Sequence, residues 1–335
     1  MDLDLVVLGS AASVPSAARG LSSALIRRGG ARLLIDCGEG TQRQLMRSTG
    51  LGELDAVLLT HLHADHVLGL PGMLKTFGLR DRTEPLLIAG PPGLDRFLRV
   101  LQPVIGRLPF RLEVEETDGM DATWSQDGCI VRAIPTDHGV PSVGWVLEEE
   151  DRPGRFDVDH ARALGVREGA DFGVLQRGGD VIAADGTTVT SSQVLGEHRS
   201  GRTIVYTGDT AACVAVREAA HEATLLVHEA TFLEVDADRA RETGHSTAHD
   251  AALTAAAANV ELLVLTHVST RYMPREIERE ARGVFAASVV ARDFDLVELP
   301  FPERGAPRHV VRGGRSTGDP VAIQSTHDDG LHSAE

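Results

Sequence analysis

The sequence predicts an α/β fold on three observations. Short apolar runs rich in Val, Leu and Ile recur along the chain, helix-like segments lie between several of them, and polar residues collect where the runs end. Open α/β sheets place their sites at the C-terminal ends of strands. In chain order the runs are 3–8 (LDLVVL), 32–36 (RLLID), 55–60 (DAVLLT), 86–89 (LLIA), 203–207 (TIVYT), 224–228 (TLLVH) and 261–266 (ELLVLT). They read as buried strands. Helices are predicted at 40–49, 92–101 and 247–258. Residues 148–200 break the pattern with charges, glycines, one short helical stretch at 157–164 and little core, as expected of an inserted arm at about 148–200 that projects from a domain spanning 1–305. The remainder, 306–335, is rich in Gly, Arg, Ser and Asp and reads as a disordered tail.

Composition narrows the function. At 335 residues and 42% hydrophobic content the chain can bury a large core unaided. No apolar run approaches a membrane span and the start MDLDLVVLG lacks a basic signal-peptide region, so a cytoplasmic protein is expected. Cys37, Cys129 and Cys213 lie far apart, giving neither a disulfide framework nor a cysteine-based zinc pattern. A net charge of −16 argues against a general polyanion-binding surface, so any nucleic-acid role must rest on a local basic patch. Arg27, Arg28, Arg43, Arg47, Arg271 and Arg275 are the candidates.

The chemistry concentrates in Thr60-His61-Leu62-His63-Ala64-Asp65-His66, directly after an apolar run. Histidine offers a borderline nitrogen donor and aspartate a hard oxygen, so His61, His63, Asp65 and His66 suit a first-row divalent metal. A loop lets all of them turn toward one centre, whereas alternate residues of a strand point to opposite faces. One short loop does not easily surround an ion. Further donors stand at other strand ends: His138 in PTDHG, Asp209 in YTGDT and His267 in LTHVS. Each alone would be an ordinary polar strand terminus. Together with the loop they make five histidines and two aspartates, enough for two ions with positions left open.

The loop resembles that of the metallo-β-lactamase superfamily, and further motifs resemble the ribonuclease Z family within it. These are Asp36-Cys37-Gly38-Glu39-Gly40-Thr41-Gln42-Arg43-Gln44, Leu68-Gly69-Leu70-Pro71-Gly72, His228-Glu229-Ala230-Thr231-Phe232, Gly244-His245-Ser246-Thr247 and Thr266-His267-Val268-Ser269-Thr270-Arg271-Tyr272. The resemblance covers roughly residues 1–300, including the start of the arm at 153–166. It implies a four-layer αββα metallo-β-lactamase-like sandwich and an endonuclease that trims the 3′ end of precursor tRNA, leaving a 3′-hydroxyl by means of a two-metal-activated water. It also implies a homodimer in which each arm reaches toward the partner's site. Carried over residue by residue, His61, His63 and His138 hold one ion, Asp65, His66 and His267 hold the other, and Asp209 bridges them. Two Zn2+ per subunit are expected, and the same N/O donors suit Mn2+ or Fe2+. Asp65 is the candidate general base. Thr247-Ala248-His249-Asp250 fits a capping box, which puts His245 just ahead of a helix as a proton donor, oriented and charged by Glu229. His228 is expected to support the site from nearby.

Two departures bear on the substrate. Pro15-Ser16-Ala17-Ala18-Arg19-Gly20 stands where the family commonly carries Pro-Ser-Lys-x-Arg-Asn, so a lysine and an asparagine are missing. The arm opens with Glu148-Glu149-Glu150-Asp151 where a tRNA-gripping arm should be basic. The competing expectations are a small-molecule hydrolase of the same fold, a phosphodiesterase or lactonase, and a metal-stabilised binding protein without catalysis.

Overall fold

A computed structural model describes residues 1–119 and 122–311. Among them, eight strands form one sheet in the order Arg308–Val310, Leu296–Glu298, Leu3–Gly9, Ser23–Arg28, Ala31–Ile35, Ala56–Leu58, Leu86–Gly90, Leu112–Glu116. Seven form a second sheet: Ser288–Val290, Leu263–Thr266, Leu225–Glu229, Thr203–Tyr206, Val143–Glu149, Cys129–Pro135, Ala122–Gln126. Strand alternation decides what lies between. Leu5 and Val7 join Ile26, Leu33 and Ile35 in packing against Val131, Ala133, Trp145, Ile204 and Tyr206 of the second sheet. Val6 and Leu8 face the other way, onto the helices Thr41–Ser48, Leu70–Leu79 and Leu94–Ile105 through Leu45, Met73, Leu74 and Leu98. The outer face of the second sheet is covered by Val214–Ala219, Ala248–Ala258 and Pro274–Arg282, where Ala251, Ala252 and Ala255 let the helix lie close. Three apolar layers between four structural layers make the αββα sandwich the sequence predicts. Strands buried on both faces explain why the predicted runs were continuously apolar.

Every predicted strand forms. The hairpin of Cys129–Pro135 with Val143–Glu149, the strand Ser23–Arg28 and the short edge strands were not predicted, because polar and charged residues interrupt their apolar character. One boundary and one expectation change. Arg308–Val310 belongs to the sheet rather than to a tail: it pairs antiparallel with Leu296–Glu298, and His309 Nε2–H donates to Asp295 at 2.7 Å. Residues 312–335 of the predicted tail lie outside the described residues. The arm carries more structure than expected, with helices Val158–Ala163, Ala170–Gln176 and Ser191–Val194, a two-stranded ribbon of Val181–Ile182 and Thr188–Val189, and a small core of Ala161, Val166, Leu175, Val189 and Val194.

A buried ion cluster ties the arm's root to both ends of the domain. Arg202, 1% exposed, donates to Glu149 at 2.6 and 2.8 Å, to the Leu299 carbonyl at 2.6 Å and to the Met1 carbonyl at 2.9 Å. Arg28 donates to the same carboxylate at 2.7 Å. Burial opposes ionisation of Glu149, but the two guanidiniums outweigh it and hold this carboxyl below its ordinary value. Two predictions are corrected here. Arg28 belongs to this cluster rather than to a nucleic-acid patch, and Glu149 is a neutralised part of the sheet rather than free acidity at the arm's entry. Arg27 is likewise engaged, with Asp4 at 2.7 Å. Arg43, Arg271 and Arg275 are exposed.

Candidate metal centre

All seven predicted ligands converge at the strand ends. His61, His63, Asp65 and His66 follow the strand Ala56–Leu58, His138 follows Cys129–Pro135, Asp209 follows Thr203–Tyr206 and His267 follows Leu263–Thr266. Asp209 Oδ2 is the hub, 3.2 Å from His267 Nε2, 3.5 Å from His66 Nε2, 3.7 Å from His61 Nε2 and 3.8 Å from His138 Nε2. Around it His61, His63 and His138 form one group of converging donors, and Asp65, His66 and His267 form another. His138 Nε2 stands 3.2 Å from His63 Nδ1, and Asp65 Oδ2 stands 3.4 Å from His267 Nε2 and 3.7 Å from His66 Nε2.

Close approach shapes the backbone here. Gly208 sits at φ 63° with Thr60 so near that an added Cβ would lie 2.6 Å from the Thr60 Cβ, which delivers Asp209 against the His61 loop. His267 itself adopts φ 54°, a conformation that costs energy for a residue with a side chain and aims the imidazole inward.

Two buried carboxylates, one per sheet, orient the imidazoles. Asp36 accepts from His66 Nδ1–H at 2.7 Å and from the Thr60 hydroxyl at 2.9 Å, and Thr60 Oγ1 in turn accepts from His61 Nδ1–H at 3.1 Å. Glu229 accepts from His245 Nδ1–H at 2.7 Å and from the Thr231 hydroxyl at 2.5 Å, and Thr231 Oγ1 accepts from His267 Nδ1–H at 2.8 Å. His138 Nδ1–H donates to the Gly244 carbonyl at 2.8 Å. At His61, His66, His138 and His267 these bonds put a proton on Nδ1 and turn Nε2 toward Asp209. Consistently, His61 Nε2, His66 Nε2 and Asp209 Oδ1 are buried without a hydrogen-bond partner. A buried polar atom left unpaired is costly, so these three fit the coordination of a divalent cation. Asp36, Thr60 and Thr231 were not singled out from the sequence, since isolated polar residues carry no spacing signal. The quoted DCGEG and HEATF motifs contained two of them.

Electrostatics follow from this crowding. Burial, reinforced by the neighbouring His66, holds the His61 imidazole well below its ordinary value. At His66 burial acts the same way, but Asp209 and Asp36 outweigh it and raise the value well above the ordinary one. Burial would raise Asp209, but His267 and His66 keep it well below the carboxylate range. Cation binding must therefore displace a proton from His66 while Asp209 is already ionised, so affinity rises with pH. Asp36→Asn should lower metal affinity about 10- to 100-fold with the fold retained, as loss of an orienting carboxylate typically does. Competition with a zinc chelator measures this, and wild-type affinity in the variant would remove Asp36 from the site.

His245 lies beside the centre, 4.0 Å from Asp209 Oδ2, with its side chain 13% exposed. Thr247 caps the following helix as predicted, accepting from the Asp250 N–H at 3.0 Å while Asp250 accepts from Thr247 N–H at 3.1 Å. Gly244, at φ 67° and against the His138 backbone, makes the turn that presents His245. Burial alone would lower this imidazolium, but Glu229 outweighs it and pushes the value up to about 9. His228 does not share the site. It lies on the same strand face as Leu226 and Ala230, toward the helix layer, and its Nδ1–H donates to the Glu229 carbonyl at 2.9 Å. Arg19, in the predicted substrate loop, is engaged in holding that loop, donating to Ser10 and to the Ala291 carbonyl, both at 2.6 Å. From the same loop the Ser13 N–H donates to Asp65 Oδ2 at 2.9 Å.

This fold and this arrangement of donors define a metal-dependent hydrolase of the metallo-β-lactamase superfamily, and residues 18–267 match that superfamily. The ribonuclease Z of Haloferax volcanii is 44% identical over 324 residues, spanning 95% of this chain and 100% of the relative. That of Myxococcus xanthus is 44% identical over 304 residues, spanning 89% of this chain and 98% of the relative. The crystal structure of human tRNase Z, short form, superposes with a TM-score of 0.65 at 28% identity, over 89% of this chain and 99% of that one. The chain belongs to the ribonuclease Z family. No helix among the described residues is long and apolar enough to cross a membrane.

Proposed function

We propose that this protein is an endoribonuclease that hydrolyses a phosphodiester at the 3′ end of precursor tRNA and leaves a 3′-hydroxyl on the tRNA. The observation that carries the reading is the His245–Glu229 pair, a charged donor held at 2.7 Å and 4.0 Å from Asp209 Oδ2, next to the converging donors. A phosphodiester needs such a donor, because its departing 3′ oxygen must be protonated.

The chain would hold one cation with His61, His63 and His138, a second with Asp65, His66 and His267, and bridge them with Asp209. Zn2+ is the expected ion in both positions, and Mn2+ or Fe2+ suits the same donors. Divalent cations bound there supply Lewis acidity toward the phosphate and acidify water. Asp65, held anionic by His267 and His66 against the effect of burial, accepts the proton of the attacking water. His245, protonated and oriented by Glu229, gives its Nε2 proton to the 3′ oxygen as it leaves. The family likeness supports a homodimer in the cytoplasm, with each arm directed toward its partner's site.

The smaller alternative, a small-molecule phosphodiesterase or lactonase, is favoured by one observation: Ala17 and Gly20 remove two donors from the rim loop, and Arg19 is already engaged. Incubation with a precursor tRNA bearing a 3′ trailer, in parallel with bis(p-nitrophenyl) phosphate, separates the two. Cleavage of both is expected. Turnover of the small diester with the precursor left intact at low salt would establish the alternative.

A further inference from the structure

The arm leaves and rejoins the second sheet through two antiparallel legs. Arg152 N–H donates to the Arg199 carbonyl at 2.8 Å and Arg199 N–H donates back at 2.9 Å, and further out the Gly196 N–H donates to the Arg155 carbonyl at 3.0 Å. Gly154 is needed here, since a Cβ would lie 1.9 Å from the Gly196 carbonyl oxygen. Above the legs the arm's apolar core is drawn from the arm alone, with Ala161, Val166, Leu175, Val181, Val189 and Val194. That core holds the arm together and says nothing about where it points. Its direction is set at the root.

A short turn, Pro302–Arg304, reaches the root from outside the arm. The Glu303 carboxylate accepts from Arg152 at 2.7 and 2.9 Å and from Arg199 at 3.1 Å, so one side chain grips both legs. The Arg152 guanidinium stacks on Phe301 at 3.5 Å from the ring centroid, and Arg202 stacks on the same ring at 3.8 Å. Arg202 is the buried arginine fixed by Glu149, Met1 and Leu299. The sequence of contacts runs from arm leg to aromatic ring to buried core arginine without a gap. A lone exposed ion pair contributes little, but a forked carboxylate backed by a stacked ring restricts direction, and a small rotation at a root is magnified at the tip.

We propose that Phe301 and Glu303 form an orientation clamp, positioning residues that fix the direction of the arm on the catalytic domain and thereby the affinity for a substrate long enough to touch it. The proposal rests on the reading of the chain as a precursor-tRNA endonuclease. Neither residue touches the metal centre, so chemistry on a small diester should be indifferent to them.

The test compares wild type, Glu303→Gln and Glu303→Ala on two substrates. Glu303→Ala should raise KM for precursor tRNA about tenfold, with kcat and the turnover of bis(p-nitrophenyl) phosphate within about twofold of wild type. Glu303→Gln, which keeps an acceptor oxygen, should fall between. An unchanged precursor KM, or equal losses on both substrates, overturns the clamp. If the wild type leaves precursor tRNA intact, the functional reading fails, and hydrogen exchange then decides the clamp by itself. Faster exchange of the Arg152 and Arg199 amides in Glu303→Ala, with the arm core still protected, supports it. Unchanged exchange overturns it.

Discussion

Asp209→Ala should reduce kcat by about 10^3-fold or more, equivalent to roughly 4 kcal/mol of lost transition-state stabilisation. The size follows from position. One carboxylate oxygen lies within 3.8 Å of four imidazoles, and its partner oxygen is buried and unpaired. Among the described residues no other carboxylate reaches both groups of donors, so on the proposed assignment its removal would take away the ligand the two cation sites share and the negative charge that offsets them. Asp209→Asn should do nearly as much harm, since shape is kept and charge is lost. Metal content by mass spectrometry of the native protein should fall in parallel, while circular dichroism confirms that the sandwich persists. Full metal content with a tenth or more of wild-type activity would be incompatible with a bridging role.

His245→Asn should lower kcat about 10^2- to 10^4-fold, the range for loss of a positioned general acid, while metal content stays at the wild-type level. The contrast with Asp209 is diagnostic, because His245 stands outside both ligand groups assigned to the cations. The pH profile carries a second signature. The group must be protonated to act, so activity is present below its pKa and lost as pH rises through it. With Glu229 beside it that value is raised from 6.5 to about 9, and cations bound nearby can only lower it, so the alkaline limb should lie no higher than about 9. Glu229→Gln removes the charge that outweighs burial. The limb should then move down toward or below the ordinary imidazole value. An alkaline limb that does not shift in Glu229→Gln would separate His245 from the proton transfer.

Much of this centre was legible because its chemistry is local. Four donors in six residues cannot be mistaken for a surface turn, and polar residues directly after apolar runs mark strand ends whatever the order of the strands. The residues that orient the donors were not legible for the opposite reason. Asp36 serves His66 directly and His61 through Thr60, and that relation exists only once the strand Ala31–Ile35 lies beside Ala56–Leu58. The same holds for the fate of the arginines. Arg28 and Arg19 look alike in sequence, and both prove to be engaged by partners far along the chain, Glu149 and Ala291. The strand Arg308–Val310 was hidden because an exposed edge strand needs few apolar residues.

The donors come from both sheets: the His61 loop and Asp36 from one, His138, Asp209, Glu229 and His267 from the other. Besides the apolar layer between them, polar links near the site join the two halves, among them Trp145 Nε1–H to the Leu59 carbonyl at 3.2 Å, the Val143 N–H to the Thr60 carbonyl at 2.8 Å and the Val268 N–H to the Ser10 carbonyl at 2.9 Å. A cation gripped from both sides is therefore a rivet through the seam as well as a reagent. Ligation transmits cohesion from one half of the molecule to the other, and heat resistance and catalysis become two readings of one occupancy.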